Sequence, residues 1–177
     1  MNESLSFESG LTAEHGAFRR ALYSVTQGFA LGGGLVLLLL IAMSLVSIIG
    51  RKLFSTPIRG DIELLEVGAS FAIAAFLPLC ELRGTHIKVD ALTSWLPTRT
   101  QALLDVCAHL LCGIAAAVLA WRTALQIFEH HEYGDVTTLL SIPLWIPLTL
   151  IVPSLVLLAV CSLARITDIF ARLGGRA

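Results

Sequence analysis

The chain has 177 residues, 56% of them hydrophobic and 14% charged, with a formal net charge of -1. Soluble domains carry roughly a quarter charged residues, so this is the composition of a membrane protein, and at about 20 residues per crossing it supports a handful of spans in one domain, residues 1–177. Twelve scattered Lys and Arg exclude a nucleic-acid partner, because phosphate binding requires a clustered basic excess.

Met1 to His15 is polar and acidic through Glu3, Glu8 and Glu14. Without a positive n-region it does not start a signal peptide, and it reads as a loose tail. From Leu11 the apolar residues Phe18, Ala21, Leu22 and Val25 recur at helical spacing beside Arg19 and Arg20. That pattern predicts a short helix lying in the membrane interface. A twin-arginine export signal would need a small-residue cleavage pattern after the apolar run, and none follows.

Phe29 to Ile49 has no charge and is the first predicted span. Gly28 and Gly32, followed by Gly33 and Gly34, leave helix surface bare for another backbone to approach. A glycine-lined ligand slot would need converging polar groups, which this stretch lacks. Arg51 to Asp61 is a short connection. The second span is predicted over residues 62–82, with Glu63 and Glu66 one turn apart at its mouth and an uncharged run from Val67 to Cys80. Pro78 removes a backbone donor in its last turns and bends the helix near its exit. Glu81, Arg83, His86, Lys88 and Asp90 crowd the finish.

Between Arg83 and Gln101 the polar density is high and Pro97 interrupts any helix. A segment along the membrane surface is expected there, with Trp95 at headgroup level. The third span is predicted over residues 103–127, with Asp105 and His109 one turn apart near its start and Arg122 near its end. Glu129 to Asp135 is an acidic loop, and residues 139–164 make an uncharged fourth span. Pro143 and Pro147 fall in its opening turns, where a missing N–H costs little; Pro153 falls deeper, where it kinks the helix. The predicted fold is an all-α membrane protein of four transmembrane helices with an interfacial helix before the first and a surface segment after the second.

The positive charges set the orientation. With the N-terminus inside, inner segments hold Arg19, Arg20, Arg83, Lys88, Arg99, Arg165, Arg172 and Arg176, against Arg51, Lys52 and Arg59 outside. Both termini are therefore expected in the cytoplasm.

No catalytic, cofactor-binding or metal-ligating set is expected. Cys80, Cys107, Cys112 and Cys161 lie in apolar segments without Cys-x-x-Cys spacing. They read as small hydrophobes, unlike the reactive loop pairs of a disulfide-forming, quinone-coupled protein. His130 and His131 with Glu129, Glu132 and Asp135 look metal-like, but adjacent histidines in so short a loop read as a solvated turn. His86 and His109 would be the ligands of a haem held between helices, yet only His109 lies within a span. Glu66, Asp105, His109 and Arg122 all sit near span ends, where interface solvation or pairing accounts for them. Glu66 is placed to pair with Arg59 or with a basic group on a partner. The span centres are Leu, Ile, Val, Ala and Gly with a few Ser and Thr, which suits a scaffold and not a self-sufficient transporter.

Three strings resemble the DctQ-type small membrane subunit of tripartite ATP-independent periplasmic (TRAP) transporters. They are Gly60-Asp61-Ile62-Glu63-Leu64-Leu65-Glu66, Arg83-Gly84-Thr85-His86-Ile87-Lys88-Val89-Asp90, and Thr138-Leu139-Leu140-Ser141-Ile142-Pro143-Leu144-Trp145. The resemblance covers roughly Leu35 to Leu163, with Ile62 where the family often has an aromatic residue. It implies a multi-pass subunit of the bacterial inner membrane that binds a large permease subunit, which carries the sodium and substrate sites and moves as an elevator. A periplasmic binding protein would deliver an organic acid anion, and membrane lipids would surround the complex. On this reading Glu63 and Glu66 fix the outer end of the second span against the large subunit, and Arg83, His86 and Asp90 its cytoplasmic end. The rival reading is the membrane anchor of a haem or quinone electron-transfer complex, with His109 as its central residue.

Overall fold

In the computed structural model, which describes residues 17–54, 58–84 and 98–174, four helices account for nearly everything. They are α1 (Ala17–Phe54), α2 (Asp61–Arg83), α3 (Thr98–Tyr133) and α4 (Trp145–Gly174). All four are long and apolar enough to cross a membrane. At 1.5 Å per residue α2, with 23 residues, is about 34 Å long and just clears a hydrocarbon core of about 30 Å. The 38 residues of α1 and 36 of α3 run well beyond it.

The short interfacial helix expected before the first span is not separate within the described residues: residues 17–27 are the opening turns of α1. Leu22, Thr26, Ala30 and Gly33 are buried at spacings of four, four and three, so one packing face continues unbroken through the stretch assigned to the interface. The surface segment falls almost wholly on residues 85–97, outside the described residues, and residues 98–101 begin α3. At the fourth span, helix starts at Trp145 and not at Leu139. Residues 135–144 form a tight loop closed by an isolated bridge between Val136 and Pro143, with Ser141 at φ 54. Pro147 sits in the first turn of α4 as expected, while Pro143 stays outside the helix.

The helices pack in a row ordered α1, α2, α4, α3, and α1 meets α4 at only one end. The parallel pair α2 and α4 forms the middle: Gly60 lies against Leu140, Ala74 against Ser154 and Gly84 against Arg165. Near the end of α2, α1 and α4 approach each other, and Leu22, Leu82, Cys161 and Ala164 are buried together.

Small residues line these joints. A Cβ on Gly33 would lie 2.8 Å from Cβ of Ala75 and 3.2 Å from the carbonyl oxygen of Ala72, both in α2. Ala72, Ala75, Ala116, Ala120, Ser154 and Ser162 are buried, whereas Leu31, Leu38, Ile73, Leu111, Val118 and Leu163 face outward. A soluble protein does the reverse. In lipid, burying Leu brings no gain, so helices associate where small side chains let backbones approach.

One polar contact joins the middle pair at depth. Pro78 has no N–H, so the carbonyl of Ala74, four residues earlier, lacks its helical donor. The buried Ser154 hydroxyl of α4 donates to that carbonyl at 2.5 Å. An unsatisfied carbonyl in hydrocarbon is costly, and the neighbouring helix removes that cost.

Two consequences are measurable by thermal unfolding in mild detergent. Gly33→Ala is expected to destabilise by about 1–2 kcal/mol because backbone opposes the new methyl, while Gly28→Ala, with nothing within 4 Å, is neutral or stabilises by up to about 1 kcal/mol. Ser154→Ala is expected to lower stability by about 1–2 kcal/mol by orphaning the Ala74 carbonyl. The loss shrinks in a Pro78→Ala background, where residue 78 regains the N–H that bonds Ala74.

Candidate functional site

The polar groups gather at the two ends of the row. At the end where α1 finishes and α2 begins, Gly60 takes the left-handed conformation (φ 76) with Leu140 packed on it. Asp61 opens α2, where a carboxylate suits the positive end of the helix dipole. It accepts hydrogen bonds from the buried Ser47 hydroxyl at 2.5 Å and from Arg51 at 3.4 Å, tying the end of α1 to the start of α2. Two residues on, the two carboxylate oxygens of Glu63 accept the amides of Leu139 and Leu140 at 2.8 and 3.0 Å. Glu63 thus orders the loop that leads into α4. Glu66 is exposed, with no ion-pair partner among the described residues. The expected pairing with Arg59 is not formed.

At the opposite end, Arg83 donates to the Tyr23 hydroxyl at 2.7 Å and lies 5.7 Å from the centre of that ring, a cation–π contact between α2 and α1. Arg19 of α1 forms an ion pair with Asp168 and donates to the carbonyl of Ala164, both on α4. His86 and Asp90 lie outside the described residues. Of the five expected interface residues, Glu63 and Glu66 sit near the start of α2 and Arg83 at its end.

The most buried contact between an acidic and a basic side chain was not among them. Glu81, only 1% exposed, meets Nδ1 of His109 of α3 at 2.6 Å, and the Cys112 thiol lies 3.9 Å from its other carboxylate oxygen. His109 is itself 7% exposed. The pair bridges α2 to α3 across the row, near the end where α1 and α4 converge. An imidazole held this way is a packed joint between helices. In the acidic loop, His130 bonds Asp135 at 2.7 Å while His131 packs edge-on against Trp145. The two adjacent histidines are directed to different partners, and no group of three or more potential ligands able to hold a metal occurs among the described residues.

Residues 40–172 match the family described as tripartite ATP-independent periplasmic transporters, DctQ component. This chain is a member of the DctQ family. No curated protein and no solved structure matches it. Membership makes the chain a transporter component, the small subunit of a TRAP system, and with its four apolar helices a multi-pass membrane protein. The DctQ match spans both polar ends and the Glu81–His109 joint, while Arg19 and Tyr23 of the α1 start lie before it.

Sequence reasoning passed over Glu81 because it stands two residues from Arg83, where a solvated helix end is the natural reading. The available signal was that Glu81 directly follows the uncharged run from Val67 to Cys80, so that it had to find a partner on another helix. His109 offered the complementary sign. Arg19 and Asp168, 149 positions apart in the numbering, gave no local signal of their pairing.

Removing one partner of a buried pair strands the other. Glu81→Ala is therefore expected to lower stability by about 3 kcal/mol in a detergent unfolding titration, and Glu81→Gln by less. The double replacement Glu81→Leu with His109→Leu should recover most of the loss. A double-mutant cycle reads the coupling directly.

Proposed function

We propose that this DctQ-family chain is a static scaffold subunit that binds and stabilises the large permease subunit of a TRAP transporter in the bacterial inner membrane. The observation that carries this reading is the division of the molecule into polar ends and a centre without charge. Between Arg20 and Arg51 of α1, Glu66 and Glu81 of α2, Asp105 and Arg122 of α3, and Trp145 and Arg165 of α4 there is no Asp, Glu, Lys or Arg. A translocation path needs polar groups or broken helices at mid-membrane. The joints between helices are closed by Gly33 on Ala72 and Ala75, Gly113 on Ser162 and Ser154 on Ala74, which favours a fixed wall.

In this scheme the permease moves against that wall and carries the sodium and substrate sites, and a periplasmic binding protein delivers an organic acid anion. Both termini face the cytoplasm, following the distribution of Lys and Arg. Glu66, exposed at the outer mouth, and His86 and Asp90 beyond α2 contact the large subunit. Glu63 and Arg83 act at the same two edges by holding the α4 approach and the start of α1 in place.

The test is a mild-detergent purification of the tagged chain from its native membrane, with mass spectrometry of what accompanies it. A large polytopic permease is expected in near-equal amount, and Glu66→Ala combined with His86→Ala is expected to reduce both its recovery and uptake. Recovery of the chain alone, or with a haem protein or dehydrogenase, would overturn the reading. Wild-type assembly and uptake in the double variant would remove the interface assignment.

A further inference from the structure

Arg122 closes the uncharged stretch of α3, and by its place in the chain it belongs near the end of a span. The packing puts it deeper. Two contacts fix the register of the antiparallel α3 and α4: Gly113 lies against Ser162, and His131 packs on Trp145. Arg122 is midway between Gly113 and His131, so it stands level with the middle of the stretch from Trp145 to Ser162, at Pro153 and Ser154. Ser154 bonds the carbonyl of Ala74, two residues past Ala72, the midpoint of α2 (Asp61–Arg83). Because α2 just clears the hydrocarbon core, the backbone of Arg122 lies near the centre of that core, deeper than Glu66 or Glu81.

Arg122 is exposed and has no hydrogen-bond or ion-pair partner among the described residues. At its level α1, α2 and α4 carry no Asp, Glu, Lys or Arg, and the nearest acid along α3 is Glu129, about 10 Å further out. Its side of the helix is also the open one. The buried residues of α3 are His109, Ala116 and Ala120, which lie roughly 120–160° round the helix from it. The last helix of the row, α3 packs along its length on α4, so Arg122 faces outward. From the centre of the core each headgroup layer is about 15 Å away, beyond the reach of an arginine side chain. A charge at that depth is unfavourable unless a protein group pairs with it.

We infer that the outer face of α3 around Arg122 is a docking surface for a transmembrane helix that presents a carboxylate at mid-membrane depth, and that this helix belongs to the large permease subunit. Giving the helix to the permease rests on the scaffold role proposed above. Acyl chains offer no acceptor at this depth and lipid phosphates stay in the headgroup layer, whereas a carboxylate accepts a guanidinium through two parallel N–H···O bonds. Gln126, one turn further out on the same file, is also exposed and without a partner among the described residues, and it offers the incoming helix a second hydrogen-bonding group. Val118, Trp121 and Leu125 flank the two at spacings of three and four and are exposed apolar side chains, so they form one face along which a helix can lie.

The experiment uses the tagged full chain in its native membrane, with a benzophenone amino acid in place of Leu125, and maps the cross-linked partner by mass spectrometry. Irradiation is expected to join this position to a permease helix that contains Asp or Glu. Arg122→Gln is expected to weaken retention of the permease in mild detergent about tenfold or more, the range for one lost partner of a buried charge pair. Arg122→Lys keeps the charge without the fork and is expected to fall between. Arg122→Glu should abolish retention, and replacing the cross-linked carboxylate by arginine should restore it. Thermal stability of the isolated chain is expected to be the same with Arg122→Gln as without it, because the guanidinium has no partner inside the chain; a loss there would mark a structural role and overturn the inference. If the wild-type chain retains no permease, the scaffold role fails together with the docking face. If the permease is retained equally by Arg122→Gln, or the cross-links reach lipid alone, the scaffold role stands and the docking face is overturned.

Discussion

Contact between Gly33 of α1 and the backbone and methyl groups of Ala72 and Ala75 sets a spacing on which the rest of the row depends. In hydrocarbon, helices gain nothing by hiding leucine from water, so close approach of backbones replaces the hydrophobic effect as the cohesive force. With α1 that near, α2 can place Asp61 within reach of Ser47 at one end and Arg83 within reach of Tyr23 at the other. The same rule repeats where Gly113 of α3 lies against Ser162 of α4. Large side chains are thereby left on the outer faces, where they meet lipid or a partner subunit.

A second constraint acts on polar groups. Two of them at depth find their partners on another helix, and those pairs tie the row together. The carbonyl freed by Pro78 draws in Ser154, and Glu81 draws in His109. The net gain from such bonds is modest, whereas the cost of breaking one is large, because the stranded group cannot turn to water. These contacts therefore specify which helices are neighbours more than they add to stability. The short α2 is central to both: its Ala74 carbonyl and Glu81 meet α4 and α3, and near its end Leu82 packs with Leu22 of α1 and Cys161 and Ala164 of α4.

That architecture suits the static scaffold role proposed for this subunit. Membership of the DctQ family makes the chain one component of a TRAP transporter, and a component with an uncharged centre and polar contacts at both rims resists sliding of its own helices. The two rims differ in chemistry. One carries a carboxylate, Glu63, that organises a loop through main-chain amides. The other gathers arginines beside a buried acid–imidazole pair.

Much of this was legible along the chain. Four uncharged stretches, their lengths and the strings around Glu63 and Arg83 are local properties, and they determined the membrane class, the number of spans and the family. The tertiary structure decided the order α1, α2, α4, α3 and showed that Gly33 is a contact while Gly28 and Gly32 face open space. It also joined residues 17–27 to the first span and paired Glu81 with His109 and Arg19 with Asp168. The reason is physical. In a soluble helix the polar face marks which side turns outward, but a helix apolar all round carries no such mark. Which face meets which neighbour then depends on close fit and on polar groups far apart in sequence, and those are properties of the assembled row.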